Sequence, residues 1–569
     1  MLNIFLASIV SSIIFFGSGT ITNYIIFRKT ISELSNFDKG IFGAIFIAFC
    51  SLFINFFFPI NQTVGTIFLL FTFAAFIFDF YFNKKKMEVI YLILIVSIIS
   101  FILILLSNIN RPDAGLYHLP FVNLINEYKI IVGSTNIHYR FGHTSLVQYI
   151  SAIYYNHLFK PEFITLPIAS MGSFFIFFLL KNFFENLKKN NLEKYLIYFL
   201  VIVFSLYSFN RYSNYGNDTP AHIYFIFFIL IYFEINDLRK IESIKFVKLL
   251  LISIFLIGLK IFMILSFILL AILFLLNKEK LNILKNGKLY IALLLFLILI
   301  IKNILISGCA LFPFKETCLT NLTHFNKEIT KKASEEAEAW SKDVPNSKKN
   351  YGSYSKYNAN FNWVSTWLNN HFNKILEKLI PYIILLFLVF LISIIRKIYF
   401  NQKSNLDEIA DEQILLIVYL LFCCLVWFLK FPLYRFGTSF LFLTITFSFL
   451  IFMKSINLLS SRLISKNLLI TLIIFGFIAF LGKNFIRIGK NIDKEYFNYP
   501  CPKIYTLGNN NLNQPPKFEL VKDQNNRKLY YFSEGKECMY SNSPCSHMLN
   551  KNLKVEKKLG FLIYSTKIF

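Results

Sequence analysis

Long apolar runs recur along most of this chain, and they constrain its fold more than any other feature. Many of them reach the roughly 20 residues that an α-helix needs to cross the hydrocarbon core of a bilayer. With 56% hydrophobic residues and 69 phenylalanines among 569 residues, the chain is too apolar for a soluble protein. Because only helices and closed barrels satisfy the backbone hydrogen bonds in lipid, the sequence predicts an all-α polytopic membrane protein. We expect about fourteen transmembrane helices, over residues 2–27, 41–58, 63–82, 88–107, 163–181, 194–209, 221–235, 246–259, 261–277, 288–307, 379–398, 414–430, 438–454 and 468–484.

The loops between these runs fall into two alternating sets that differ in charge. One set carries runs of basic residues, such as Lys84-Lys85-Lys86 and Arg396-Lys397. The positive-inside rule places this set in the cytoplasm, and it places the other loops and both termini on the outer side. Loop residues of this kind explain the net charge of +26, so we expect a lipid bilayer around the protein and no nucleic acid as a partner.

The predicted topology divides the chain into three parts. Residues 1–87 hold the first helices, residues 88–484 form a transmembrane core, and residues 485–569 form an outer tail. The core carries two outer loops, 108–162 and 308–378. The tail contains residues that favour strands, so we expect a small outer α+β domain there. Its strand-like stretches are residues 528–532 and 561–564.

Five cysteines fall on the predicted outer side, where an oxidising compartment permits disulfides. The local pairings Cys309–Cys318 and Cys538–Cys545 are favoured, which leaves Cys501 over, although spacing alone does not fix the connectivity.

The first outer loop opens on a polar stretch at the mouth of an apolar run, which ends in Asp113-Ala114-Gly115-Leu116-Tyr117-His118. Apolar residues at helical spacing over 117–128 and 146–157 predict two amphipathic helices that lie in the membrane interface. Between them, His138 and Arg140 add hydrogen-bonding and cationic groups. This loop is a candidate platform for a substrate with a lipid tail and a polar head. The alternative is a solvated loop with incidental charges.

Acidic side chains are scarce on the outer side before residue 308, and two of them stand at helix mouths. Asp113 and Asp218 each lie next to Pro or Gly. Either carboxylate is a candidate for chemistry, and either is also suited to capping a helix N-terminus.

Two cationic residues stand at predicted outward turns. Lys260 interrupts an apolar run, and Arg435 follows Pro432 and Tyr434. Both suit a phosphate group, and both are also compatible with anchoring to lipid headgroups. The chain has no Gly-rich phosphate loop, HExxH or GxSxG motif, so ATP-driven and zinc-protease chemistry have no sequence support.

The ordered motifs resemble those of bacterial polytopic membrane proteins related to the GT-C glycosyltransferases. The resemblance begins with Asp113-Ala-Gly-Leu-Tyr-His118 and Asn136-Ile-His-Tyr-Arg-Phe-Gly142. It continues along the rest of the chain. The further matching motifs are Asn217-Asp-Thr-Pro-Ala221, Gly258-Leu-Lys260, Asn303 to Gly308 with Pro313, Trp427-Phe428 with Pro432 and Arg435-Phe-Gly437, and Cys538 with Ser543-Pro-Cys545.

The resemblance implies an inverting glycosyltransferase on the outer face of a bacterial inner membrane. The donor would be a polyprenyl-phosphate-linked sugar, and the acceptor a cell-surface glycan, lipid or protein. Asp113 would act as general base or as the ligand of a divalent metal, Mg²⁺ or Mn²⁺. The acid is single rather than paired, which leaves metal dependence open. The residues expected to bind substrate are Tyr117, His118, His138, Arg140, Asp218, Lys260 and Arg435.

Two other functions remain open at this stage. An O-antigen polymerase or ligase also has many helices and a large outer loop, but it relies on Arg and His rather than on an acid. A flippase or transporter would place polar residues deep within the membrane, where few charges are visible in this sequence.

Overall fold

The architecture is taken from a computed structural model of the chain. The structure describes residues 1–27, 34–106, 113–143, 145–208, 216–235, 237–347, 352–399, 409–459, 464–492, 504, 517–522, 526–533, 537–550 and 552–566. The predicted polar residues 110–112 and Cys501 lie outside these ranges.

The described residues are mostly helical, as the apolar runs predict, and a small region of strands lies near the C-terminus. The helices are α1 (Leu2–Thr22), α2 (Asn36–Phe57), α3 (Gln62–Phe82), α4 (Lys86–Leu105), α5 (Leu119–Glu127), α6 (Leu146–Ile153), α7 (Leu166–Lys188), α8 (Leu192–Ser208), α9 (Asp218–Phe233), α10 (Ser243–Leu259), α11 (Leu265–Leu276), α12 (Lys280–Leu284), α13 (Gly287–Ser307), α14 (Lys327–Ser341), α15 (Tyr354–Asn358), α16 (Val364–Trp367), α17 (Asn373–Tyr399), α18 (Asp411–Lys430), α19 (Tyr434–Ser455) and α20 (Lys466–Gly489).

Ten of the helices in the described ranges are long and apolar enough to cross a membrane. They include α1 to α4, α7, α13 and α17 to α20, some of them with short helical extensions. Each of the other four predicted spans also contains a helix, but α8 to α11 are only 12 to 17 residues long. The chain is therefore a multi-pass helical protein, and the count of fourteen crossings stays a prediction.

Hydrogen bonds group the loops at two ends of the helical bundle. At one end, the Tyr232 hydroxyl donates to the Glu412 carbonyl, and the Lys278 amide donates to the Arg239 carbonyl. Glu412, Lys278 and Arg239 come from loops predicted to be cytoplasmic, and Tyr232 lies in the last turn of α9, next to such a loop. At the other end, the Ser341 hydroxyl donates to the Lys430 carbonyl at 3.1 Å, which joins two segments predicted to lie outside.

The first helices share a core with the rest of the protein. The Ser11 hydroxyl in α1 hydrogen-bonds to Ser170 of α7 at 2.7 Å and to Tyr154 at 2.6 Å. Close backbone approach also holds α1, because a Cβ on Gly17 would lie 2.1 Å from the Thr72 carbonyl oxygen of α3. Residues 1–87 therefore pack as part of one bundle rather than as an appended unit.

The two helices of the first outer loop differ from the expectation of interfacial helices. Every residue of α5 from Leu119 to Asn126 is buried, and so is every residue of α6. Their polar side chains, which suggest a solvent-facing surface, bond to protein groups instead. The Asn126 amide, for example, donates to the Ala152 carbonyl at 2.9 Å. Neither helix therefore lies on the membrane surface with a wet face.

The region near the C-terminus contains two small sheets. In the first, β1 (Phe518–Lys522) pairs antiparallel with β2 (Lys528–Ser533), which pairs in parallel with β3 (Cys545–Ser546). In the second, β4 (Leu553–Lys558) and β5 (Phe561–Thr566) form an antiparallel hairpin. Both strand-like stretches of the sequence are strands.

The structure joins Cys309 to Cys318 and Cys538 to Cys545, the two pairings favoured from spacing.

Candidate functional site

Five charged side chains from five distant segments meet at the end of the bundle that carries the first outer loop. Asp113 immediately precedes a helical turn that leads into α5, and Arg140 lies in a short 3₁₀-helix that follows. Asp218 is the first residue of α9, Lys260 follows the end of α10, and Arg435 lies in the first turn of α19. All five were singled out from the sequence.

The carboxylate of Asp113 lies between two guanidinium groups. Its Oδ1 is 3.5 Å from Nη1 of Arg140, and its Oδ2 is 3.8 Å from Nη1 of Arg435. About one third of the Asp113 side chain is exposed, and Arg435 is half-exposed, so incoming ligands can reach this group. The two arginines hold the carboxylate in place without enclosing it.

A second ion pair lies beside the first. The Lys260 ammonium is 2.8 Å from Oδ1 of Asp218, and both side chains are largely buried. Lys260 and Arg435 approach the same Phe436 ring, at 5.2 Å and 4.9 Å from its centroid. Burial alone would raise the pKa of Asp218, but the charges of Lys260 and Arg435 outweigh it and lower that pKa to about 2. Asp218 is therefore ionised at neutral pH.

The contacts of these side chains bear on the alternatives left by the sequence. Asp113 makes no capping hydrogen bond, and the N-cap position of α9 is held by Asn217 rather than by Asp218. Each of the two carboxylates faces a cation. Lys260 and Arg435 likewise pair with carboxylates of the protein, Asp218 and Asp113 respectively. Three cations and two carboxylates leave one net positive charge, which favours an anionic ligand.

Aromatic and imidazole groups line the Asp113–Arg140 pair. The Arg140 guanidinium lies over the Tyr117 ring, 5.0 Å from its centroid, and its Nε donates to the Tyr139 hydroxyl at 3.1 Å. The Tyr139 hydroxyl in turn donates to Glu336 of α14 at 3.0 Å. Burial, assisted by Asp113, raises the pKa of Tyr117, so its phenol stays protonated.

His118 and His138 are buried and neutral. Burial lowers the pKa of His118 to about 3, and its Nδ1 accepts a hydrogen bond from the Gln148 amide at 3.0 Å. Burial, followed by the neighbouring His547, also lowers the pKa of His138. His138 meets Arg140 through the backbone, because its Nδ1 accepts from the Arg140 amide at 3.1 Å. Both histidines are thus supports within the site, and neither is placed as a free acid or base.

The sequence places Trp427 in a motif with Arg435, but it does not predict the hydrogen bonds that hold the turn around Arg435. Trp367 donates its indole hydrogen to the Pro432 carbonyl at 2.6 Å, and Trp427 donates to the Leu433 carbonyl at 2.8 Å. His222, one helical turn after Asp218, donates to the Arg435 carbonyl at 2.7 Å. The spacing Asp218–His222 is a signal for a shared helix face, but the partner in α19 is not visible in the sequence.

The residues do not favour a divalent metal at Asp113. Among the described residues, no three His, Cys, Asp or Glu side chains stand together. The neighbours of the Asp113 carboxylate are two guanidinium groups, whose charges oppose a bound cation.

These features define a class, a multi-pass helical membrane protein with a charged, net-positive site at one end of its bundle. Within that class, residues 1–442 match a family described as a domain of unknown function, DUF8201, and the chain belongs to this family. The match spans more than three quarters of the chain, includes the first helices and all five charged residues, and ends before the C-terminal strands. No curated protein and no solved structure matches the chain.

Proposed function

We propose that the protein is a GT-C-type membrane glycosyltransferase that moves a sugar from a polyprenyl-phosphate donor to a cell-surface glycan, lipid or protein. The observation that carries this proposal is the Asp113 carboxylate held between Arg140 and Arg435. A carboxylate beside several cations suits a reaction in which a proton is taken up and a phosphate leaves.

The cations supply the electrostatic part of the reaction. A phosphodiester donor carries one negative charge, and the departing lipid phosphate gains another as the bond to the anomeric carbon breaks. Arg140, Arg435 and Lys260 come from three different elements, and each is held by an ion pair with Asp113 or Asp218. Groups fixed in this way stabilise charge that develops in the transition state without reorganising.

Donor binding also explains how Asp113 becomes available as a base. A phosphate that engages Arg140 and Arg435 draws them away from the carboxylate, whose oxygens are then open to the acceptor hydroxyl. The acceptor hydroxyl then attacks the anomeric carbon from the face opposite the phosphate, and its proton passes to Asp113. The new glycosidic bond forms as the sugar–phosphate bond breaks, so the configuration at the anomeric carbon is inverted.

The membrane setting accounts for the rest of the substrate. The site lies where the apolar helices α9, α10 and α19 begin or end. A donor with its tail in the bilayer would bring its phosphate to this level. In this proposal the site faces the exterior of a bacterial inner membrane, since the loops at this end carry few basic runs.

Mass spectrometry of lipid-linked sugars and surface glycans, in cells with the wild type or Asp113→Asn at matched membrane levels, tests the proposal. Asp113→Asn is isosteric and lacks a base, so transfer should fall by about 10²–10⁴-fold while the donor accumulates. Glu162→Gln, in the same outer loop, is the matched control and should transfer normally. Full transfer by Asp113→Asn would rule out its role as base. Translocated lipid with no new glycosidic bond in the wild type would instead identify a flippase.

A further inference from the structure

The disulfide-closed loop Cys538–Cys545 contacts the turn that carries Asp113. The Met539 amide donates to the Gly115 carbonyl at 2.9 Å, two residues after Asp113. The contact is close, because a Cβ on Gly115 would lie 2.4 Å from Sδ of Met539. The loop therefore presses directly on the backbone next to the candidate base.

The same region reaches the other partner of the ion pair through two histidines. His138 accepts the Arg140 amide hydrogen at Nδ1, so in its neutral form it carries its hydrogen on Nε2. That Nε2 lies 3.2 Å from Nδ1 of His547, which therefore accepts the bond. His547 lies two residues after Cys545 and directly follows β3. A chain of hydrogen bonds thus runs from His547 through His138 to the backbone of Arg140.

Further bonds fix this loop along α5. The Asn123 amide donates to the Ser541 carbonyl. The Tyr540 hydroxyl donates to Oδ1 of Asn126 at 3.3 Å, and the Tyr128 hydroxyl donates to the Ser543 carbonyl at 3.3 Å. The disulfide holds the two ends of the loop together, so Met539 and His547 act as one unit.

We propose that the Cys538–Cys545 loop with His547 positions Asp113 and Arg140 relative to each other, and that His547 is a positioning residue. Without its contacts, the turn at Gly115 and the turn at His138 lose their common support. The region lies beyond residue 442, where the family match ends, so the matched part of the chain carries the charged groups and this loop braces them. The consequence for catalysis rests on the proposed glycosyl transfer, whereas the bracing itself does not.

Two substitutions at His547 separate positioning from general stability. In His547→Asn, the side-chain oxygen takes the place of Nδ1 and still accepts from His138. In His547→Leu, a side chain of similar bulk has no acceptor. His157→Ala, an exposed histidine of the first outer loop, is the matched control. The full chain in lipid nanodiscs is measured by hydrogen–deuterium exchange over residues 113–127 and 137–143, and by kcat and KM for sugar transfer.

In His547→Leu we expect exchange of the Arg140 amide to rise about tenfold, because its acceptor His138 is no longer held. Transfer should show kcat lowered by about 10–100-fold with KM little changed, since misplacement of the base affects the transition state more than binding. His547→Asn and His157→Ala should resemble the wild type in both measurements.

Unchanged exchange in both segments for His547→Leu would overturn the positioning role. Equal damage in His547→Asn and His547→Leu would also overturn it, because a lost acceptor would then not be the cause. A wild type that transfers no sugar contradicts the proposed function, but the exchange result still decides whether the loop braces the pair.

Discussion

The imidazole of His222 donates its Nε2 hydrogen to the backbone carbonyl of Arg435 across 2.7 Å. Its Nδ1 accepts from the Ser439 hydroxyl at 2.8 Å, so both ring nitrogens are used. His222 lies one turn after Asp218 in α9, and Arg435 lies at the start of α19. One buried side chain therefore connects the helix of the Asp218–Lys260 pair to the turn of the Asp113–Arg435 pair.

His222→Leu should lower both stability and donor affinity. It leaves the Arg435 carbonyl and the Ser439 hydroxyl without their partner, which costs about 1–3 kcal/mol. The freed turn should raise KM for the donor several-fold. His222→Gln keeps an N–H donor near the position of Nε2 and should recover most of both losses. Thermal unfolding in detergent and donor titration check this, and a His222→Leu protein with wild-type KM would show that the bond does not place Arg435.

The Asp218–Lys260 pair should show measurable coupling. Lys260→Met leaves a largely buried carboxylate without its cation, and Asp218→Asn removes that penalty. The double variant should therefore be more stable than the sum of the single changes predicts, by about 0.5–3 kcal/mol. The pair Lys315–Glu316, in which both side chains are exposed, is the control, and its coupling should stay at or below about 0.5 kcal/mol. Equal coupling energies in both pairs would mean that burial does not strengthen the Asp218–Lys260 ion pair.

Stability should fall on acidification because of the buried histidines. The pKa of His118 is about 3 in the folded state, against about 6.5 in an unfolded chain. Between these two pH values the unfolded state binds more protons than the folded state. The contribution of neutral His118 to the free energy of unfolding is therefore complete above about pH 6.5 and is lost as the pH falls. The loss is about 1.4 kcal/mol per pH unit for one such histidine. His118→Gln should reduce the slope between pH 6 and 4, and His157→Gln should not. An unchanged slope in His118→Gln would mean that His118 is not held neutral.

Individual residues show what the sequence can and cannot predict here. Apolar runs predict the helices, since length and hydropathy determine whether a segment can cross lipid. Loop alternation also predicts that Asp113, Arg140 and Arg435 lie on one side of the membrane, which restricts their possible partners. The contact of His222 with Arg435 depends on how α9 and α19 pack, and no local pattern records it.

The error at α5 and α6 has a physical cause. An amphipathic pattern shows that a helix has two kinds of face, but not what covers the polar one. In α5 that face meets other protein groups, as Asn123 does at the Ser541 carbonyl and Asn126 at the Ile60 and Ala152 carbonyls. These partners come from distant parts of the chain, so the same pattern predicts an interfacial helix when it is considered alone.

Gly437 should be essential to the turn that carries Arg435. A Cβ at this position would lie 2.4 Å from Nε1 and 2.5 Å from Cε2 of Trp427. The indole is rigid and its Nε1 already donates to the Leu433 carbonyl, so it can move only by breaking that bond. Gly437→Ala should therefore destabilise the protein by about 1–3 kcal/mol, as overpacking does. It should also raise KM for the donor, because Leu433 is two residues from Arg435.

Gly482→Ala provides the matched control within the same protein. Gly482 lies in helix α20, and apart from its chain neighbours and the backbone of its own helix no heavy atom lies within 4 Å of the position that its Cβ would take. Alanine favours a helix interior over glycine by up to about 1 kcal/mol, so this variant should be as stable as the wild type or more stable. Thermal unfolding and donor titration of both variants test whether only Gly437→Ala lowers stability and donor affinity. If Gly437→Ala matched Gly482→Ala in both measurements, the Trp427 contact would not hold the Arg435 turn in place.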